Sequence, residues 1–174
     1  MKNASGAVLS KSDILEMLKA DPPLLEGLVS QEEQLQPNGV DLTVRDVSDL
    51  CTPGRIGRTN SQRVLSSARP IAFNKMGFMK LAAGEYLVTF NEIVHLPLDV
   101  MALARPRSSL LRCGVAIHNA VWDAGYEGRS QALLVIYNKS GFELEKDSRV
   151  LQLVFFRLTV AGEGYQGRFQ RENI

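Results

Sequence analysis

Residues 114–138 read GVAIHNAVWDAGYEGRSQALLVIYN, and the parsing of this stretch decides the fold. Its two ends, 114–121 and 131–138, are short apolar runs without the three-to-four-residue spacing of an amphipathic helix. Gly125 punctuates the polar segment between them, so the natural reading is strand, loop, strand. Working outward, the same grammar repeats. Strands are predicted for VDLTV (40–44), RPIAF (69–73), EYLVTF (85–90), DVMALA (99–104), FELE (142–145) and RVLQLVFFRLTV (149–160). Turn signals separate them at Pro37-Asn38-Gly39, Ala83-Gly84, Pro97 and Lys139-Ser140-Gly141. Only one helix is predicted, in LSKSDILEMLKAD (9–21), where Ser10 and Asp13 have capping-box spacing and Ile14, Leu15 and Leu18 share a face, with Pro22-Pro23 ending it. The stretch 45–68 reads as a long loop. Strands this dense, with one short N-terminal helix, imply a mainly β fold, a closed barrel or a double-sheet jelly roll, over a βαβ arrangement.

At 174 residues the chain suits one domain with a full core. Its hydrophobic content of 45% and charged content of 22% are those of an ordinary globular protein. A formal net charge of +1 supplies no global field toward nucleic acid or an acidic bilayer, so neither is an expected partner. Cys51 and Cys113 are the only cysteines and His95 and His118 the only histidines, which argues against a Cys/His metal cage. The first residues lack the apolar core of a secretory signal, no run is long enough to span a bilayer, and the expected location is the cytoplasm.

Four segments carry more polar chemistry than a β-domain requires. In QPNGVDLTV (36–44), Asp41 interrupts an apolar strand start, as a turn-stabilising acid or a functional one. RPRSSLLRCG (105–114) gathers Arg105, Arg107, Arg112, Ser108 and Ser109, a set whose guanidinium forks and hydroxyls match polyphosphate oxygens, or a solvated charged turn. In DAGYEG (123–128), Asp123 is either a turn acid bonded to the backbone at Gly125 or an acid aimed at water. Tyr126 is either a half-buried ring or a platform. In RVLQLVFF (149–156), Gln152 breaks a β-branched and aromatic strand, either facing outward or reaching a ligand.

In order, PNGVDL, PRSSLLRCGV, WDAGYEG and DSRVLQLVFF resemble the successive motifs of the dUTP diphosphatase and dCTP deaminase superfamily. LSKSDILEML, AAGEYLVTFNEIVHLP and the C-terminal GYQGRF are similar to the deaminase branch, so the likeness covers nearly the whole chain. It implies a distorted jelly roll over residues 1–174, with 1–24 an N-terminal helix region and 161–174 a tail closing over the site. It further implies homotrimers with active sites at subunit interfaces, acting on a deoxynucleoside triphosphate with Mg²⁺. By the same resemblance Arg107, Ser108, Ser109 and Arg112 would hold the triphosphate and Gln152 would add a polar contact. Asp123 would sit by the deoxyribose, with Tyr126 beneath the sugar where a 2′-hydroxyl would clash. Asp41 would support the water shell of the metal. Asn119, four residues before Asp123 on the strand expected to line the base pocket, can offer donor and acceptor to a uracil edge. Tyr165, Arg168 and Gln170 would order over the nucleotide.

Two chemistries share that scaffold. The resemblance places the water-activating glutamate of the deaminases ten residues after the aspartate, and here that position is Leu133, with Gln131, Ala132 and Leu134 around it. A leucine moves no proton, and general acid–base catalysis is worth about 10²–10⁴ in rate. The diphosphatase reaction needs an acid to aim water at the α-phosphorus and positive groups to receive charge, which Asp123 and the arginines supply. The expected reaction is hydrolysis of dUTP to dUMP and pyrophosphate. A dCTP deaminase, bifunctional or not, and a non-catalytic nucleotide binder are the alternatives.

Overall fold

The computed structural model describes residues 7–174, so the first six residues of the expected 1–24 helix region lie outside the described residues. Ser10 caps α1 (Lys11–Met17): its hydroxyl accepts from the Asp13 amide, and the Asp13 carboxylate accepts from the Ser10 amide. That reciprocal box fixes the first turn and sends Ile14 into the core, fully buried. The helix stops at Met17, before the two prolines expected to end it.

The strands in chain order are β1 (Leu25–Glu26), β2 (Leu35–Gln36), β3 (Gly39–Leu50), β4 (Ala68–Ile71), β5 (Phe78–Leu81), β6 (Gly84–Phe90) and β7 (Ile93–His95). They continue with β8 (Val100–Pro106), β9 (Val115–His118), β10 (Glu127–Gly128), β11 (Gln131–Ile136), β12 (Phe142–Glu145) and β13 (Arg149–Arg157). Two further short helices, α2 (Gln31–Gln34) and α3 (Ser108–Arg112), correct the expectation of a single helix. Each is too short to show a helical period in sequence.

The main sheet runs β8-β13-β3-β6-β11-β9, with β2 and β4 also paired to β3. Beyond one end of β9 the chain turns back, and Trp122 bridges Ala102 of β8, so the sheet nearly closes on itself. This nearly closed, barrel-like sheet is the mainly β fold that the strand density implies, in the distorted jelly-roll form that the family resemblance implies. Its centre is β13, paired with β3 on one side and β8 on the other; Leu151, Leu153 and Phe155 are fully buried beside Val40, Leu42 and Ala102. Full burial of each large side chain stabilises by about 1.5–3 kcal/mol.

Three boundaries differ from the sequence reading. The stretch 45–68 is not one long loop: β3 continues through a register shift between Val44 and Asp46, and β4 returns beside it, pairing Val47 with Ile71. The shift lets Arg45 and Asp46 face outward together while Val47 turns inward, so the alternation that marks a strand is broken on paper. The strand expected over 114–121 ends at His118, whose partner is Leu133; residues 119–121 leave the ladder so that Trp122 can reach β8. The last strand ends at Arg157 and not at Val160, because its partner β8 runs out at Val100.

Candidate active site

The 123–128 segment is a turn closed by its own backbone. The Tyr126 amide donates to the Asp123 carbonyl at 3.1 Å, and Gly125 takes φ +79° between them. Gly125 is demanded twice: by that left-handed backbone and by the tail, since a Cβ there would lie 2.8 Å from the Gly164 Cα. Among the described residues the Asp123 carboxylate makes no hydrogen bond to the turn it sits in; it is exposed. It lines a cavity of about 770 Å³ together with Tyr126, Gln131 and Leu87.

Three parts of the chain build that cavity. The floor is Trp122 and Tyr126, both buried, and one wall is the paired strands carrying Leu87 and Gln131. The roof comes from residues the sequence left without a role, Leu50, Leu65, Ser66 and Ala68, and from the tail residues Tyr165, Phe169 and Glu172. Arg63 stands 5.8 Å from the centre of the Phe169 ring, joining the two roof segments. The tail is pinned by backbone and amide bonds. Tyr165 donates its amide to Ala124, Gln170 Nε2 donates to the Gly125 carbonyl at 2.9 Å, and Gln170 Oε1 accepts from the Glu127 amide. Gln170 is thus a staple between tail and turn; Arg168 is exposed.

Tyr126 is only 6% exposed, and its hydroxyl donates to Glu172 at 2.9 Å. Tyr165 meets the ring edge-on, centroids 5.8 Å apart. Burial, then the adjacent Glu172 carboxylate, push the Tyr126 hydroxyl well above the ordinary phenol range, so it stays a donor. Burial also raises the Glu172 carboxyl, against the lowering effect of the tyrosine bond. Asn119 lies one residue past β9, exposed, and does not line this cavity. Leu133 is paired with Leu87, and the 131–134 stretch brings no acid to the wall.

The second polar group is separate, with no residue in common with the cavity lining. Arg107 is the N-cap of α3, its amide tied to the Val150 carbonyl and its Nε 3.3 Å from Asp41 Oδ2. Arg149, which sequence reasoning did not single out, approaches the same oxygen at 3.7 Å. Gln152 is cross-strand partner to both Asp41 and Arg105. Leu110 anchors α3 in the core, leaving Ser108, Ser109 and Arg112 exposed on its surface, with Arg112 donating to the Ser108 carbonyl. Asp41 itself is 2% exposed. Burial raises its carboxyl above the usual range, and the two guanidinium groups oppose that. Behind it, Gln34 Nε2 donates to the Asp41 carbonyl and to Glu92, which also accepts from the amide and hydroxyl of Thr43. This satisfied buried network fixes the strand start on which Asp41 stands.

Residues 8–158 match the model of a family described as dCTP deaminase-like. A probable deoxyuridine 5′-triphosphate nucleotidohydrolase of Methanosarcina mazei is 47% identical, over 96% of this chain and 98% of that protein. Its namesake in Archaeoglobus fulgidus is 43% identical over 97% and 98%. Among solved structures, the 2′-deoxycytidine 5′-triphosphate deaminase of Agrobacterium tumefaciens superposes with a TM-score of 0.70 at 20% identity. The match covers 88% of this chain and 49% of that one, and the likeness is one of fold.

Proposed function

The chain belongs to the dCTP deaminase-like family, and on that premise we propose that it is a dUTP diphosphatase, hydrolysing dUTP to dUMP and pyrophosphate in the cytoplasm. One observation carries the choice within the family. The cavity holds an exposed, uncommitted carboxylate at Asp123, while the strand on which the resemblance places a deaminase's acid gives the cavity Gln131 and carries Leu133, paired with Leu87, at the acid's own position. Relatives at 43–47% identity, named as probable dUTP nucleotidohydrolases, support the same reading.

In this reading Asp123 orients a water for attack at the α-phosphorus and takes its proton, and pyrophosphate leaves. Arg107, Ser108, Ser109 and Arg112 hold the triphosphate: a guanidinium fork matches phosphate oxygens, and the α3 hydroxyls lie on the same surface. Gln152 adds an amide from the adjoining strand. Asp41 stands 3.3 and 3.7 Å from Arg107 and Arg149, and its Oδ2, without a hydrogen-bond partner among the described residues, is the group that would support the water shell of the metal. Among the described residues no cluster of three acids, histidines or cysteines could cage a metal. Mg²⁺ would enter with the triphosphate and would neutralise part of its charge. Tyr126 is the platform for the deoxyribose, and the cavity takes the uracil.

We read the working site as joining surfaces of neighbouring copies in the homotrimer that the family resemblance implies, a reading supported by cavity and arginine group sharing no residue within one chain. Leu103, Leu111 and Val121, large apolar residues exposed on the segments that carry site residues, support such an interface. The test is product analysis with each deoxynucleoside triphosphate: pyrophosphate and dUMP are expected from dUTP, without ammonia from dCTP. Ammonia from dCTP assigns the deaminase, and no turnover of any nucleotide assigns a binder; either overturns the proposal.

A further inference from the structure

Glu172 lies in the 161–174 tail at a position that sequence reasoning did not single out, yet it meets a residue 46 positions away at the floor of the cavity. Its place does not depend on a flexible side chain. Glu172 bridges Gly128 in parallel, its carbonyl accepts from the Arg129 amide at 2.9 Å, and the Arg171 amide donates to the Glu127 carbonyl at 2.7 Å. The Asn173 side-chain Nδ2 adds a bond to the Arg129 carbonyl at 2.9 Å. The backbone thus delivers the carboxylate to the Tyr126 hydroxyl. Room for the pair comes from Gly128, where a Cβ would lie 2.7 Å from the Tyr126 Oη and 3.3 Å from the Glu172 Cγ. Both side chains line the cavity.

A ring rejects a hydroxyl only if it cannot yield. Tyr126 is held at its tip by Glu172 and along its edge by Tyr165, and both come from the tail. Without Glu172 the phenol would be left buried with no acceptor, and the ring would gain by moving toward water. From this geometry we propose that Glu172 is a positioning residue for sugar selection: it locks Tyr126 against a 2′-hydroxyl, so that docking of the tail and discrimination against ribose are one event. The proposal rests on the reading of Tyr126 as the sugar platform.

The experiment compares kcat/KM for dUTP and UTP in the full chain and in Glu172→Ala, Glu172→Gln and Tyr126→Phe. In Glu172→Ala the dUTP-over-UTP ratio falls by about tenfold, the worth of one buried hydrogen bond. Glu172→Gln retains an acceptor and restores most of the ratio. Tyr126→Phe matches Glu172→Ala, and the double variant shows no further loss, because one bond is broken in each. A role confined to stability would lower both substrates together. An unchanged ratio in Glu172→Ala overturns the proposal, as does Glu172→Gln falling as far as alanine while its circular dichroism matches the parent. If the parent hydrolyses neither nucleotide, the diphosphatase reading fails separately. The lock is then read from the calorimetric affinities of dUMP and UMP, whose ratio must show the same pattern across the variants.

Discussion

At the scale of the residue, the site depends on acids in three different surroundings. Asp123 is exposed and free to meet water. Glu172 is committed to a tyrosine. Asp41 is buried between two arginines, its carboxyl raised chiefly by loss of solvent and only partly relieved by Arg107 and Arg149. A carboxyl whose folded pKa lies above its unfolded one stabilises the fold below the unfolded value and loses that contribution as pH rises through the folded value. Asp41→Asn, which stays neutral, should therefore gain in melting temperature relative to the parent as pH rises above the unfolded carboxylate value of about 4. A difference that is flat with pH contradicts this assignment. In the same variant the KM for dUTP should rise, because the guanidinium pair loses its holder.

At the scale of the element, the decisive feature is a tight turn on which a tail is stapled. Gly125 supports both, through its positive φ and its approach to Gly164. Gly125→Ala should cost about 1–2 kcal/mol for the left-handed backbone alone, and more as the tail is pushed off. A denaturant titration and dUTP turnover should fall together, and a variant with parental turnover would detach the tail from the site. The turn and its acid were legible in sequence because glycine punctuation and an acid–aromatic pair are local signals. Glu172, Arg149 and the roof over residues 50–68 were not, since each acquires meaning only when strands distant in sequence are paired. Asn119 shows the limit of spacing: its place four residues before Asp123 suggested a strand wall, but the ladder ends at His118 and Asn119 is not among the residues lining the cavity of the single chain.

At the scale of the whole molecule, alternation and turn residues sufficed for a mainly β fold. The sheet's near-closure required the long-range bridge between Ala102 and Trp122, which no local pattern reveals. β3 was half hidden because its register shift brings Arg45 and Asp46 out together. The division of polar residues into a cavity group and an arginine group has a consequence for assembly. If neighbouring copies each supply one group, inactive Arg107→Ala and Asp123→Asn chains, co-expressed, should form mixed trimers that recover activity. Recovery absent from mixed assemblies that sediment as trimers would place both groups in one chain's site.

The central claim is that the Asp123 carboxylate activates the water that attacks phosphorus, and Asp123→Asn tests it with almost no change in shape. Pyrophosphate release from dUTP, measured beside calorimetric affinity for the same nucleotide, should drop by about 10²–10⁴ while affinity holds within a few-fold. Turnover at the parental rate in that variant would contradict the account.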